Sequence, residues 1–351
     1  MATTQMARAV RRITGIGGAA LAATLVGTAA VPAQAAGGSY VALGDSYSSG
    51  VGTRVYLNDG TACDRSVYAY PGLIAAARGY ALNLRACSGA PTADVTNTQL
   101  GALSASTAYV TISIGGNDAG FANVLTECAL PGWASDCNGK IDTAQSFIND
   151  TLPGRLSSVY SSIRAKAPNA EVVVVGYPRL FQGEDCNAAT FFSPAEESRL
   201  NATADLMNGR ISSAASAAGF GFANPTSAFI GHAVCDNPEW LNGLSNPVSD
   251  SYHPNVAGHA SGYTPVVSGV LTTAPVTVTA AIELRAEAGS AAQTSLQRRY
   301  AAQDAAITPK DVVAPDLTSP RVRAAAKAAG VDLTSPASIR VADLRYDALQ
   351  R

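Results

Sequence analysis

The first candidate for chemistry is a serine where an apolar run stops. In the stretch SYVALGDSYSSG, residues 39–50, the apolar run ends in Gly-Asp-Ser and a second Ser/Gly cluster follows. Gly, Asp and Ser are ordinary turn and N-cap residues. A serine at a strand-to-helix corner can also lift its hydroxyl above a sheet, where it can act as a nucleophile. Far along the chain, DSYHPNVAGHASGY (250–263) sets Asp250 three residues before His253. Pro254 limits His253 to an extended or turn conformation. A carboxylate so placed can reach a ring nitrogen, fix the tautomer and leave the other nitrogen free to deprotonate a hydroxyl. Short Asp/His pairs are also common loop chemistry, so the pair alone decides little. Acyl transfer further needs donors aimed at a developing oxyanion. SIGGND (113–118) can supply the side-chain amide of Asn117, and RACSGA (85–90) the backbone N–H of Gly89. For each glycine, plain loop geometry is the bland reading.

These residues need a scaffold. YVALG (40–44), YVTISIGG (109–116), EVVVVGYP (171–178) and GFGFANP (219–225) read as buried strands, each a short apolar run closed by Gly or Pro. Helical stretches fall between them at 141–168 and 194–219. Such alternation predicts a parallel sheet covered on both faces, with its site at the carboxyl ends of the strands. Ser46 and Gly115-Gly116-Asn117 both sit at or just past strand ends.

Composition narrows the classes. The 351 residues carry 24 basic and 26 acidic side chains, a balance that offers no field for nucleic acid or an anionic membrane surface. Arg8, Arg11 and Arg12 precede a small, apolar run, and Ala33-Gln34-Ala35 suits a signal peptidase, so residues 1–35 read as an export signal. Twin-arginine export matches the flanking residues weakly, which leaves the route open. No later segment has the roughly 20 apolar residues of a spanning helix, so contact with a lipid interface would be transient. Export to an oxidising, extracellular setting makes Cys63, Cys87, Cys128, Cys137, Cys186 and Cys235 read as three disulfides, with about fifteen pairings open. After residue 274 the strand-helix alternation ends and charge rises. Residues 275–351, with DLTSP at 316–320 and again at 332–336, read as a partly helical or mobile extension holding no catalytic candidate. His232, His259 and Asp236 lack regular ligand spacing, so no metal is expected. Tyr47, Phe121, Trp133, Phe191, Phe192 and Trp240 are candidates for an acyl pocket, Phe121 foremost because it lies four residues past Asn117.

Taken together, residues 39–272 resemble the GDSL/SGNH hydrolase family, whose four blocks hold Ser, Gly, Asn and His. Here they stand in order as GDS with Ser46, CSGA with Gly89, GGND with Asn117 and DSYHP with His253. Tyr47 replaces the leucine of the family name, and the GDSY form with six cysteines is most similar to secreted actinobacterial lipases and esterases. The resemblance implies a three-layer α/β/α sandwich around a central parallel sheet, flavodoxin-like, over residues 36–274. It implies Ser46 as nucleophile, His253 as base and Asp250 as the orienting acid. Some relatives hold the histidine with a backbone carbonyl instead. The oxyanion would lie among the N–H groups of Ser46 and Gly89 and the amide of Asn117. It implies no cofactor, a monomer, an acyl-ester lipid as substrate, and sequential disulfides Cys63–Cys87, Cys128–Cys137 and Cys186–Cys235. Two rivals remain: a carbohydrate O-deacetylase, favoured by a small, polar acyl site, and a catalytically silent secreted protein that binds lipid or polymer.

Since Cys87 lies two residues before Gly89, breaking Cys63–Cys87 is expected to loosen an oxyanion donor as well as the fold. The chain-entropy model puts the stability loss at about 3 kcal/mol. Melting temperature and ester turnover under reductant check this, and no change in either would refute it.

Overall fold

The computed structural model describes residues 37–350, so the export signal read at 1–35 lies outside the described residues. Five strands, β1 (Gly37–Gly44), β2 (Tyr80–Leu84), β3 (Tyr109–Ser113), β4 (Glu171–Val175) and β5 (Gly221–Ala223), form one parallel sheet in the order β2-β1-β3-β4-β5. Tyr40 to Leu43 and Val172 to Val175 are buried throughout. Their continuous apolar runs, rather than alternating ones, follow from helices covering both faces. The helices Tyr70–Arg78 and Thr264–Thr272 pack together on one face, and Leu152–Lys166 and Pro194–Ala217 on the other. This is the expected three-layer sandwich.

The chain leaves β1 toward β2 on one side and returns past it to β3. Adjacent strands β1 and β3 thus diverge in their connections, which opens a crevice at their carboxyl ends. Register pairs Gly44 with Ser113, so both strands end level, and the loops carrying Ser46 and Asn117 leave side by side.

Local sequence explains the helix ends. Ser193 and Glu196 form a reciprocal capping box, with Pro194 in the first turn of the 194–217 helix. The single helical stretch read at 141–168 is two helices, Cys137–Asp150 and Leu152–Lys166. Pro153 has no N–H to donate and its ring crowds the carbonyl four residues back, so the chain breaks at Thr151 and restarts. β2 escaped the sequence reading because YALNL is short, half-exposed and polar at Asn83.

The extension is helical at Ala280–Ala288, Ser290–Arg298, Ala301–Asp304, Pro320–Ala329 and Pro336–Gln350. The helix Ser290–Arg298 runs along β2, which is an edge strand, and Gln293 Nε2 donates to Leu82 O at 2.8 Å. Covering an exposed strand edge removes a site for unwanted pairing. Among the described residues, no helix is long and apolar enough to cross a membrane.

Candidate active site

Gly44 ends β1 with φ +121°, and a Cβ there would lie 2.2 Å from Ser113 O, so only glycine fits. Gln99 clamps it from both sides, accepting from Gly44 N at 2.7 Å and donating to Gly44 O at 2.8 Å. Asp45 is extended and caps the single turn Ser46–Ser49. Its Oδ1 accepts from Tyr47 N at 3.1 Å and from Ser113 Oγ at 2.8 Å, while Oδ2 accepts from Tyr177 OH. Burial pushes the Asp45 carboxyl up to about 6, although these hydrogen bonds pull the other way. The acid of Gly-Asp-Ser therefore pins β1 to β3, and Ser46 becomes the first residue of the turn.

Ser46 Oγ lies 2.8 Å from His253 Nε2 across 207 residues of chain. The other ring nitrogen, Nδ1, lies 2.9 Å from Ser251 O. A carbonyl can only accept, so Nδ1 carries the proton and Nε2 is the acceptor facing the serine hydroxyl. Tyr252 makes this possible. Its φ of +59° turns the chain so that the carbonyl of Ser251 and the ring of His253 meet, a conformation that is costly for a tyrosine. The turn is held by Tyr252 N donating to Asn242 O, Asn242 N donating to His253 O, and Tyr47 OH donating to Tyr252 O. The Tyr47 ring also lies against the imidazole, with centroids 5.1 Å apart.

This corrects the expectation for Asp250. Its carboxylate does not hydrogen-bond the His253 ring. It accepts from Tyr56 OH and faces Arg54 Nε at 3.7 Å. Asp250 ends a short turn, Val248–Asp250, and the left-handed step at Tyr252 brings a carbonyl, not that side chain, to Nδ1. Asp250 acts on His253 through space alone, raising its proton affinity. Asp250→Asn is expected to lower kcat/KM by less than about tenfold, where losing the acid of a Ser-His-Asp triad costs about 10⁴. Steady-state kinetics on a soluble ester decide it, and a fall near 10⁴ would return Asp250 to the ring.

His253 keeps an edge open to the adjoining pocket. Packing around the rest of the ring pushes its pKa down to about 4, against the Ser251 hydrogen bond and the Asp250 charge. Only the neutral ring can accept a proton, so activity should be flat through neutral pH and fall as pH drops through about 4. A kcat/KM profile with its acid limb near pH 6.5 would contradict this.

The loops carrying Gly89 and Asn117 are tied to each other and to the end of β1. Asn117 Nδ2 donates to Ala90 O at 3.2 Å, which ties its loop to that of Gly89 and leaves its second amide hydrogen free. The N–H groups of Ser46 and Gly89 donate to no protein acceptor among the described residues. Disulfides join Cys63–Cys87, Cys128–Cys137 and Cys186–Cys235, the sequential pairing. Cys87 N donates to Gly44 O at 3.1 Å, so the first disulfide anchors the Gly89 loop beside the end of β1.

Beside Ser46 opens a cavity of about 50 Å³. Its apolar walls include Phe121, Leu125, Met207 and Tyr177, and two further lining residues are Lys310 and Val312. Tyr47 and Phe121 are where the sequence reading put them. Trp133, Phe191, Phe192 and Trp240 line other parts of the molecule: Phe192 packs on Phe181, and Trp240 stacks on His232 at 3.6 Å. Leu125 was within reach of sequence reasoning, being one helical turn past Phe121. The sequence reading gives the extension no catalytic candidate and leaves its place open; Lys310 and Val312 bring it to the cavity wall. His259 is buried, and its Nδ1 accepts from Tyr70 N. Asp236 accepts from Ala233 N, and His232 Nδ1 faces Pro238 O. Each of these three groups is thus engaged elsewhere.

Residues 42–261 match the model of the GDSL-like Lipase/Acylhydrolase family. The chain belongs to that family. Lipase 1 of Streptomyces coelicolor is 46% identical over 255 residues, 72% of this chain and 93% of the relative. A lipase of Streptomyces rimosus is 44% identical over 65% of this chain and 85% of its own length. Among solved structures, phospholipase A1 from Streptomyces albidoflavus superposes with a TM-score of 0.64 at 47% identity, matching all of that chain with 67% of this one. As a member of the GDSL family, the protein is an ester hydrolase. About a third of this chain lies outside the matched length of phospholipase A1, since 100 − 67 leaves 33%.

Proposed function

We propose that the protein is a secreted lipase or esterase that cleaves carboxylic esters of acyl lipids through an acyl-enzyme on Ser46. The observation that carries this reading is Ser46 Oγ at 2.8 Å from His253 Nε2, opening on an apolar cavity. Ser46 attacks the ester carbonyl as its proton passes to Nε2. The imidazolium that forms is held by Ser251 O and favoured by the Asp250 charge. The oxyanion takes the N–H groups of Ser46 and Gly89 and the Asn117 amide. His253 then protonates the leaving alkoxide, and water hydrolyses the acyl-enzyme with His253 again as base.

Apolar walls at Phe121, Leu125 and Met207 favour an acyl chain over the polar site that a sugar deacetylase would need. The relatives named lipase and phospholipase A1 support the same choice. The test is an ester panel running from acetyl to long-chain acyl, with a phospholipid and an acetylated sugar. Turnover of fatty esters or the phospholipid well above the acetylated sugar is the expected result. A preference for the acetylated sugar would move the reading to a deacetylase. Export would leave a mature chain beginning at Ala36, checked by N-terminal sequencing of protein from the culture medium.

A further inference from the structure

Residues 305–319 contain no helix or strand, yet both of their ends are fixed. Before them, Asp304 is bound by two buried arginines, at 2.8 Å to Arg65 Nη2 and 2.6 Å to Arg85 Nη2. Ile307 then packs against the Cys63–Cys87 pair. The backbone of 308–310 crosses the Gly89 loop so closely that a Cβ on Gly89 would meet Thr308 O at 2.5 Å and Pro309 Cα at 2.7 Å. Lys310 Nζ reaches Asn117 O at 3.5 Å. Val312 enters the main core and lines the cavity beside Ser46. Val313 N donates to Thr126 Oγ1 at 2.9 Å, and the Arg321 guanidinium donates to both carboxylate oxygens of Glu127 and to Ala134 O.

We propose that this strap is a fixed wall of the acyl site, with Val312 as the residue that sets discrimination by acyl-chain length. The proposal rests on the assignment of Ser46 as nucleophile. The strap touches both loops that carry the oxyanion donors, then seals the side of the cavity along the helix Phe121–Cys128, which presents Phe121 and Leu125. The family match ends at residue 261, so this wall comes from chain beyond it. A site enclosing a drug-sized ligand typically spans about 300–1,000 Å³. The cavity here, about 50 Å³, holds only the start of an acyl chain. Anchors at Asp304 and Arg321 hold the wall in place rather than letting it swing as a lid.

The test uses the full mature chain with Val312→Ala and Val312→Phe, measured on monomeric esters from acetyl to decanoyl. Val312→Ala removes two methyl groups from the wall, and a missing methylene in an apolar pocket changes discrimination by roughly 10–200-fold. It should raise the decanoyl-to-acetyl ratio of kcat/KM by about tenfold, while Val312→Phe should lower it by a similar factor. A merely structural Val312 would weaken both variants on every ester without opposite shifts. Ser46→Ala is measured in parallel. If it is inert while both Val312 variants keep the wild-type ratio, the wall is refuted and the nucleophile stands. A rate jump when substrate passes from monomers to micelles, with unchanged ratios, would make the strap a mobile lid and also refute the proposal. Turnover by Ser46→Ala would remove both readings.

Discussion

Ser46→Ala is expected to lower kcat on a soluble short-chain ester by about 10⁶, with KM and melting temperature nearly unchanged. Removing the nucleophile of a serine hydrolase costs on the order of 10⁶ in kcat, and the remainder comes from oxyanion donors and binding. Here those donors stand without Ser46 Oγ. The Ser46 N–H survives in alanine, Gly89 is anchored by Cys87, and Asn117 is tied to Ala90 O. Stability should hold because Ser46 Oγ has His253 Nε2 as its one hydrogen-bond partner. Gly44, Asp45 and Tyr47, which shape the corner, keep all their contacts. His253→Ala should give a similar kinetic loss, and the double variant should lose little more, since residues acting as a unit are not additive. Independent losses that multiplied in the double variant would show that the two side chains do not act on the same step.

The corner around Ser46 was readable because its constraints are local. Gly44 is forced by the neighbouring strand, Asp45 caps a turn two residues on, and both leave a signature of three consecutive letters. The strand ends were readable because β1, β3 and β4 are short buried segments, with unbroken apolar runs at Tyr40 to Leu43 and Val172 to Val175 and β-branched residues through β3. Where the outcome depended on a single backbone rotation, the letters did not suffice. DSYH reads equally well with Asp250 or Ser251 O on the ring, and the left-handed Tyr252 decides between them. Nor could the strap be seen. Lys310 and Val312 lie 193 and 191 residues from Asn117 and Phe121, in a stretch with no periodicity to betray a buried face.

Asp304→Ala is expected to destabilise the protein by about 3–5 kcal/mol, the range for breaking a buried ion pair by removing one partner. Arg65 and Arg85 are almost completely buried, and their two positive charges are balanced by Asp59 and Asp304. Arg65 would keep Asp59 Oδ2 at 2.8 Å and Ala86 O at 2.9 Å. Arg85 would keep only neutral partners: Gln297 Oε1, Thr98 O and the face of Tyr300 at 3.9 Å. Burial already disfavours the charged Arg85 side chain, and Asp304 is the chief group that offsets this. A guanidinium does not escape by deprotonating, so the cost falls on folding. The pair is shielded from solvent, so added salt should change the loss little, unlike a surface ion pair. Urea unfolding at two salt concentrations measures this, and a loss below about 1 kcal/mol would show that water or neighbouring groups replace the carboxylate. The same variant joins stability to specificity. With one anchor of the strap gone, Val312 should hold the cavity wall less firmly, and discrimination between decanoyl and acetyl esters should weaken even at temperatures where the variant remains fully folded.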